Sequence, residues 1–113
     1  MGTRQQLEVE VETSSDSKRY RLRGSLFFAS ATKFTRFFTP KEDPAHVYLE
    51  FDHARIMDSS ALEAVEMLAE RYRALGKILH IHGLSENCDK LLRRKGGNVT
   101  ITPSKGVTAA RVG

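Results

Sequence analysis

Leu7, Val9 and Val11 alternate with Glu8, Glu10 and Glu12 near the start of the chain. A period of two predicts a strand with one wet face. After a Ser-rich polar stretch at 13–18, Tyr20 and Leu22 alternate with Arg19, Arg21 and Arg23. The two runs predict an antiparallel hairpin with a longer loop. Its outer face then sets a row of glutamates beside a row of arginines. Opposite charges across strands stabilise by about 0.2–1 kcal/mol per pair, so this pairing is a register device and needs no ligand.

Gly24 follows, placed to relieve a tight bend. Ser30 or Thr32 opens a helix whose apolar side includes Phe34, Phe37 and Phe38, and Pro40 lies just past its end. A polar linker, 41–44, leads to Val47, Leu49 and Phe51 alternating with Tyr48 and Glu50, a strand over 47–51. Leu62, Val65, Leu68, Tyr72 and Leu75 recur at three- and four-residue steps, which predicts an amphipathic helix of about four turns. Gly76 stands at its C-cap. Residues 78–82 form the next strand, and Leu84, Cys88, Leu91 and Leu92 mark a helix stopped by Gly96 and Gly97. Val99 and Ile101 mark a last strand, and 107–112 is compatible with a short helix or strand.

The predicted fold is α/β, in the order β-β-α-β-α-β-α-β, with a mixed sheet of four to five strands. The later β-α-β steps imply parallel neighbours joined by right-handed crossovers. Strands buried on both faces would be continuously apolar. These alternate, so the helices are expected mainly on one face.

A chain of 113 residues fits one domain, with a core over about 7–102 and a tail at 103–113. No apolar run approaches the ~20 residues of a membrane span. The charged start, 1–12, does not read as a secretory leader. Cys88 is the single cysteine, so no internal disulfide forms, and its helical spacing between Leu84 and Leu91 predicts a buried, inert thiol. The net charge is +4, with a basic cluster at Lys90, Arg93, Arg94 and Lys95. That cluster falls in the last turn of a predicted helix, where cations complement the macrodipole. No stripe of basic and aromatic residues accompanies it, so nucleic acid is not an expected partner.

The stretch with most chemistry is Asp58-Ser59-Ser60-Ala61-Leu62, where a strand hands over to a helix. Ser59 or Ser60 as a nucleophile would need a base, and His46, His53, His80 and His82 are the candidates. No Gly-x-Ser-x-Gly elbow supports that reading, and no catalytic residue is assigned. His80 and His82 share a strand face, but two ligands do not close a zinc site, so no metal is expected. No phosphate-cradling loop is present. The sequon Asn98-Val99-Thr100 is taken as accidental. Ser60 and Glu63 fit a capping box with Ser60 at N-cap, and Asp58 is an alternative cap. Ser59 then stands exposed beside a helix start. A phosphate there adds about −1.5 to −2 charges where the helix tolerates them.

Taken together, 22–97 resembles a STAS domain, the module shared by bacterial anti-sigma-factor antagonists and the cytoplasmic tails of SulP-type anion transporters. Residues 47–52 followed by Ile56-Met57-Asp58-Ser59-Ser60-Ala61-Leu62 resemble that family's strand, loop and Asp-Ser-Ser motif. Gly76-Lys77 and 78–84 resemble its next strand and turn. Gly24-Ser25-Leu26-Phe27-Phe28-Ala29-Ser30-Ala31 resembles a segment typical of the transporter branch. The chain departs at Ala61, where antagonists usually carry Gly, and at Ser25, where transporters often carry Pro.

The resemblance implies a non-catalytic regulatory domain at the cytoplasmic face of the plasma membrane, attached to a transporter for sulfate or a related anion. The transmembrane portion of that parent and a cytosolic regulatory protein are its implied partners. No cofactor is expected beyond the weak nucleotide binding seen in the family. Asp58, Ser59 and Ser60 become the motif surface, and Ser59 the phosphorylation site. A stand-alone antagonist switched by phosphorylation of Ser59 is the alternative.

Overall fold

The computed structural model describes residues 6–95 and 100–102. The expected tail, the Gly96-Gly97 stop and Asn98 of the sequon lie outside them. Strands β1 (Glu8–Thr13) and β2 (Ser17–Leu26) precede a 3-10 turn (Phe28–Ser30) and helix α1 (Ala31–Arg36). Then come β3 (His46–Ile56), α2 (Ser59–Ala74), β4 (Ile78–His82), α3 (Glu86–Lys95) and β5 (Thr100–Thr102). The strands lie in chain order, β1-β2-β3-β4-β5, with β1 antiparallel to β2 and the other neighbours parallel. Three right-handed crossovers that all step the same way keep their helices on one face. The expected α/β order and one-sided layering are therefore present.

The hairpin register is the one that charge alternation predicts: Glu8, Glu10 and Glu12 stand opposite Arg23, Arg21 and Arg19. Arg21 bonds Glu12 at 2.9 Å and Glu50 of β3 at 3.2 Å, and Arg19 also pairs with Glu50. Hence the ladder runs across three strands of the open face. On the covered face Leu7, Tyr20, Leu22, Leu26, Val47, Leu49, Phe51, Leu79 and Ile81 are buried. Ala61, Leu62, Val65, Leu68 and Tyr72 of α2 close over them. Phe34 and Phe38 complete one end, with Phe38 4.3 Å from the Tyr20 ring centroid. Val11 is exposed, because β1 is an edge strand that the helices barely cover.

Two strands differ from expectation. Gly24 does not make a bend; it lies inside β2, with φ +105°, and a Cβ there would collide with the Gln6 carbonyl. The third strand does not end at Phe51 but runs to Ile56. The pairing of β2 with β3 slips between Arg21↔Glu50 and Arg23↔His53, one residue longer on β3. This bulge reverses the inward parity: Val47, Leu49 and Phe51 point in before it, and Ala54 and Ile56 pack inward after it. A period-two reading stops where the parity breaks. Gly83, with φ +81°, fits against the bulge; a Cβ there would lie 2.7 Å from the Asp52 nitrogen.

The expected polar linker is a buried clasp. Asp43 is buried, and its carboxylate accepts from Tyr72 Oη at 2.6 Å, Tyr20 Oη at 2.7 Å, Lys18 Nζ at 2.9 Å and Thr39 Oγ1 at 2.9 Å. Lys77 Nζ donates to the carbonyls of Pro40 and Asp43 at 2.7 and 2.6 Å. Burial alone would raise the Asp43 pKa, but the four donors outweigh it and hold the carboxyl below its ordinary value. Burial and the same carboxylate push the Tyr72 phenol far above its usual range.

Asp43→Ala strands four donors and is expected to cost about 3–5 kcal/mol in urea unfolding, while Tyr72→Phe, which strands none, costs about 1–2 kcal/mol. Because the folded carboxyl titrates below the unfolded one, its contribution is full above the ordinary carboxylate pKa and is lost as pH falls through the folded value. The stability gap between wild type and Asp43→Asn therefore narrows on acidification. Gly83→Ala is expected to cost at least ~1–2 kcal/mol from its positive φ, before the clash with Asp52 adds to it. Thermal unfolding checks that value.

Candidate functional site

The Asp58 motif sits where β3 gives way to α2. Asp58 is extended (φ −153°, ψ 174°) and is the N-cap of α2; its Oδ1 accepts from Ala61 N at 3.0 Å. The expectation of Ser60 at N-cap is corrected: Ser60 is the second helical residue, and Glu63 lies beyond the capping turn. The reason is a second bond. Asp58 Oδ2 accepts from Phe28 N at 3.0 Å, so one carboxylate closes the helix and holds the 3-10 turn. The two oxygens of the Asp58 carboxylate take one bond each, Oδ1 from the helix and Oδ2 from the turn. Leu62 N bonds the Asp58 carbonyl at 3.2 Å, continuing the helix from that start.

Ser59 and Ser60 are the first two residues of α2, and both are exposed. Around them the surface is apolar. Phe28 is 68% exposed and Met57 54%, and the Phe27 ring lies edge-on to Phe28 at 5.8 Å. Met57 N donates to the Leu26 carbonyl at 2.8 Å, which ties the two segments together. Ser30 Oγ accepts from Phe27 N at 3.0 Å and donates to the Ser25 carbonyl at 3.2 Å. The Phe27-Phe28 turn is thus anchored at both sides while its rings face outward. Large apolar side chains held outward beside polar ones are the mark of a contact surface.

The structure does not bring these serines against an imidazole. Among the described residues no hydrogen bond joins Ser59 or Ser60 to His46, His53, His80 or His82. His46, His80 and His82 instead share the open sheet face with Tyr48. Among the described residues no three metal-ligating side chains converge.

A groove of about 430 Å³ opens beside the motif. Ala54, Ile56, Met57, Gly83, Leu84 and Cys88 are among its walls. Its cause is the length of β3. The pairing of β3 with β4 ends at Glu50↔His82, whereas β3 continues along β2 to Ile56 and overhangs the β4–α3 connection. Cys88 is half-buried on this wall rather than fully enclosed, because α3 covers the carboxyl end of β4 only in part. Sequence periodicity missed the groove, and the broken alternation at Asp52-His53 was the one available signal.

Comparisons with known proteins agree with this geometry. Residues 8–110 match the STAS domain family. The protein named "Putative sulfate transporter YbaR" of Bacillus subtilis (strain 168) is 27% identical over 86 residues, which is 74% of this chain. The chain spans 18% of YbaR's length. Among solved structures, the STAS-domain antisigma-factor antagonist from Rhodobacter sphaeroides is 25% identical, with a TM-score of 0.65 over 83% of this chain and 96% of that one. The Bacillus cell-fate determinant SpoIIAA in its phosphorylated form is 14% identical, with a TM-score of 0.68 over 88% of this chain and 93% of that one, and shares the fold. With the family matched across nearly its whole length, and with the sheet and helix order of these structures, the chain belongs to the STAS domain family.

Proposed function

We propose that this chain is the regulatory STAS domain of a SulP-type transporter for sulfate or a related anion. It acts at the cytoplasmic face of the membrane by binding protein, without catalysis of its own. The observation that carries this reading is the outward Phe27-Phe28 turn pinned to Asp58. Phe27, Phe28 and Met57 are exposed side by side, and a contiguous apolar patch of this kind supports a surface that another surface covers. The membrane portion of the parent transporter is the proposed cover. The alignment with YbaR supports the same reading. No helix among the described residues is long and apolar enough to cross a membrane, so the spans belong to the remainder of such a parent.

Phe28→Asp in the parent transporter is expected to lower anion uptake several-fold at unchanged membrane abundance. In the isolated domain the same change leaves stability within about 0.5 kcal/mol, as an exposed position predicts. Unaltered uptake would sink the reading. Asp58→Ala is expected to cost about 0.5–2 kcal/mol through the lost cap and to lower uptake as well, because it also releases Phe28 N.

A second reading has its own support: the likeness to the Rhodobacter antagonist covers 96% of that chain, and Ser59 is exposed at the first position of α2. In it the domain stands alone, binds a kinase-type anti-sigma factor, and is released when Ser59 is phosphorylated. After incubation with such a kinase and ATP, mass spectrometry should then place one phosphate on Ser59 and none on Ser59→Ala. Absence of phosphate on wild type rejects it.

A further inference from the structure

With all three crossover helices on one side, no element among the described residues covers the opposite face of the sheet. There β3 and β4 bring four rings together. The register sets Tyr48 beside His80 and Glu50 beside His82. The His80 ring stacks on Tyr48 at 4.5 Å with planes 12° apart, and the Arg19 guanidinium lies 5.0 Å from the same Tyr48 ring. His46 Nδ1 stands 3.1 Å from His80 Nε2.

The His46–His80 contact has a definite form. The ring centroids are 5.3 Å apart and the planes differ by 21°. The centroid distance exceeds the N···N distance by about two centroid-to-nitrogen radii. The two nitrogens therefore lie close to the line between the rings, which meet edge to edge and nearly coplanar. That is an N–H···N hydrogen bond, one ring donating and the other accepting. The two nitrogens point at each other along that line rather than toward a shared position beside it, and among the described residues no three ligating side chains converge, so the pair is not a chelate as it stands.

Such a bond counts protons. A first added proton goes to an outer nitrogen and leaves the bond in place, now charge-assisted. A second must take the accepting lone pair. It sets two N–H groups against each other and two cations within one contact. We propose that His46 and His80 form a proton switch on the open sheet face: one proton is held with the hydrogen bond intact, and a second enters only by breaking it and freeing His80 from its place on Tyr48. This goes beyond the transporter and antagonist readings and depends on neither.

The surroundings favour the switch. His80 titrates below the ordinary imidazole value, held down first by burial and then by His46 and His82. The charged and titratable groups facing it are His46, Tyr48 and Glu50 from β3, His82 from β4, and Arg19 of β2 across Tyr48. Thr100 of β5, its other register partner, carries no charge. Glu50 is taken up by Arg19 and Arg21, so among the described groups facing the pair no free carboxylate draws a second proton onto it. A histidine whose folded pKa is depressed stabilises fully above its unfolded pKa, and that contribution is lost as pH falls through the folded value. Acidification thus converts an uncharged surface of Tyr48, His80 and the half-exposed Ile78 into a cationic one.

Histidine-labelled NMR of the 113-residue chain tests this directly. At neutral pH a through-bond N–N coupling should connect His46 Nδ1 with His80 Nε2. On titration toward pH ~4.5 the pair should take up protons in two macroscopic steps, the coupling surviving the first and vanishing with the second. In His46→Ala, His80 should titrate in one step at a higher pH than its wild-type midpoint. His53→Ala, on the same strand but with no bond to the cluster, should change neither signal. An uncoupled pair at neutral pH, or a His80 midpoint that His46→Ala leaves in place, overturns the proposal.

Discussion

The position of α2 on the sheet depends on a buried charge that has to be satisfied. Asp43 sits in the loop between α1 and β3, and its carboxylate is reached by Lys18 and Tyr20 from β2, Thr39 from its own turn, and Tyr72 from the last turns of α2. An unpaired carboxylate there would cost several kcal/mol, so the loop, the strand and the helix can settle only where the donors converge. At the other end of α2 a second carboxylate works outward: Asp58 caps the helix and holds Phe28 N. One helix is thereby fixed at both ends. The orientation of Ser59 and the outward pose of Phe28 follow from those two anchors.

Local rules exposed much of this in the sequence. Glu8, Glu10 and Glu12 against Arg19, Arg21 and Arg23 fix a register because both rows are on one face and opposite in sign. Gly76 ends α2 as expected: Gly76 N bonds the Arg73 carbonyl and Lys77 N the Tyr72 carbonyl, both at 2.9 Å, closing the last turn. Strand β4 has the expected limits because a short apolar alternation between two glycines leaves no choice. The misses share a cause, which is distance along the chain. Asp43 reads as linker because its donors lie 25, 23 and 29 residues away at Lys18, Tyr20 and Tyr72. Ser60 and Asp58 both satisfy a local capping rule, and Phe28, 30 residues from Asp58, decides between them. The bulge in β3 is local, yet it hides the strand's second half by reversing the parity on which the strand is recognised.

The strand order has a consequence for function. In open α/β sheets, ligands gather where the strand order reverses and adjacent crossovers part to opposite faces. Here the order runs β1 to β5 without reversal, so no such crevice arises. The fold must build recognition from what remains: the corner at the carboxyl end of β3, the groove made by its overhang, and the uncovered face of the sheet. The first holds the Asp58 motif and Phe28. The second follows from the length of β3 and is bounded by Gly83, whose missing side chain lets the β4–α3 connection approach Asp52. The third carries the ion-pair ladder and the imidazole pair.

These surfaces answer to different chemistry although they share β3. At its carboxyl end the chain offers exposed apolar rings beside two hydroxyls, a surface that gains by burial and loses by added negative charge. Along its amino half the side chains alternate outward as His46, Tyr48 and Glu50, a surface that responds to positive charge. The bulge at Phe51 to His53 separates the two. Because it reverses parity, the outward face of the first half and the inward face of the second fall on residues of the same even numbering: His46, Tyr48 and Glu50 outward, Ala54 and Ile56 inward. Were the same residues paired with β2 without the slip, Ala54 and Ile56 would face the solvent. The bulge is thus what lets a single strand serve a charged open face and an apolar corner at once.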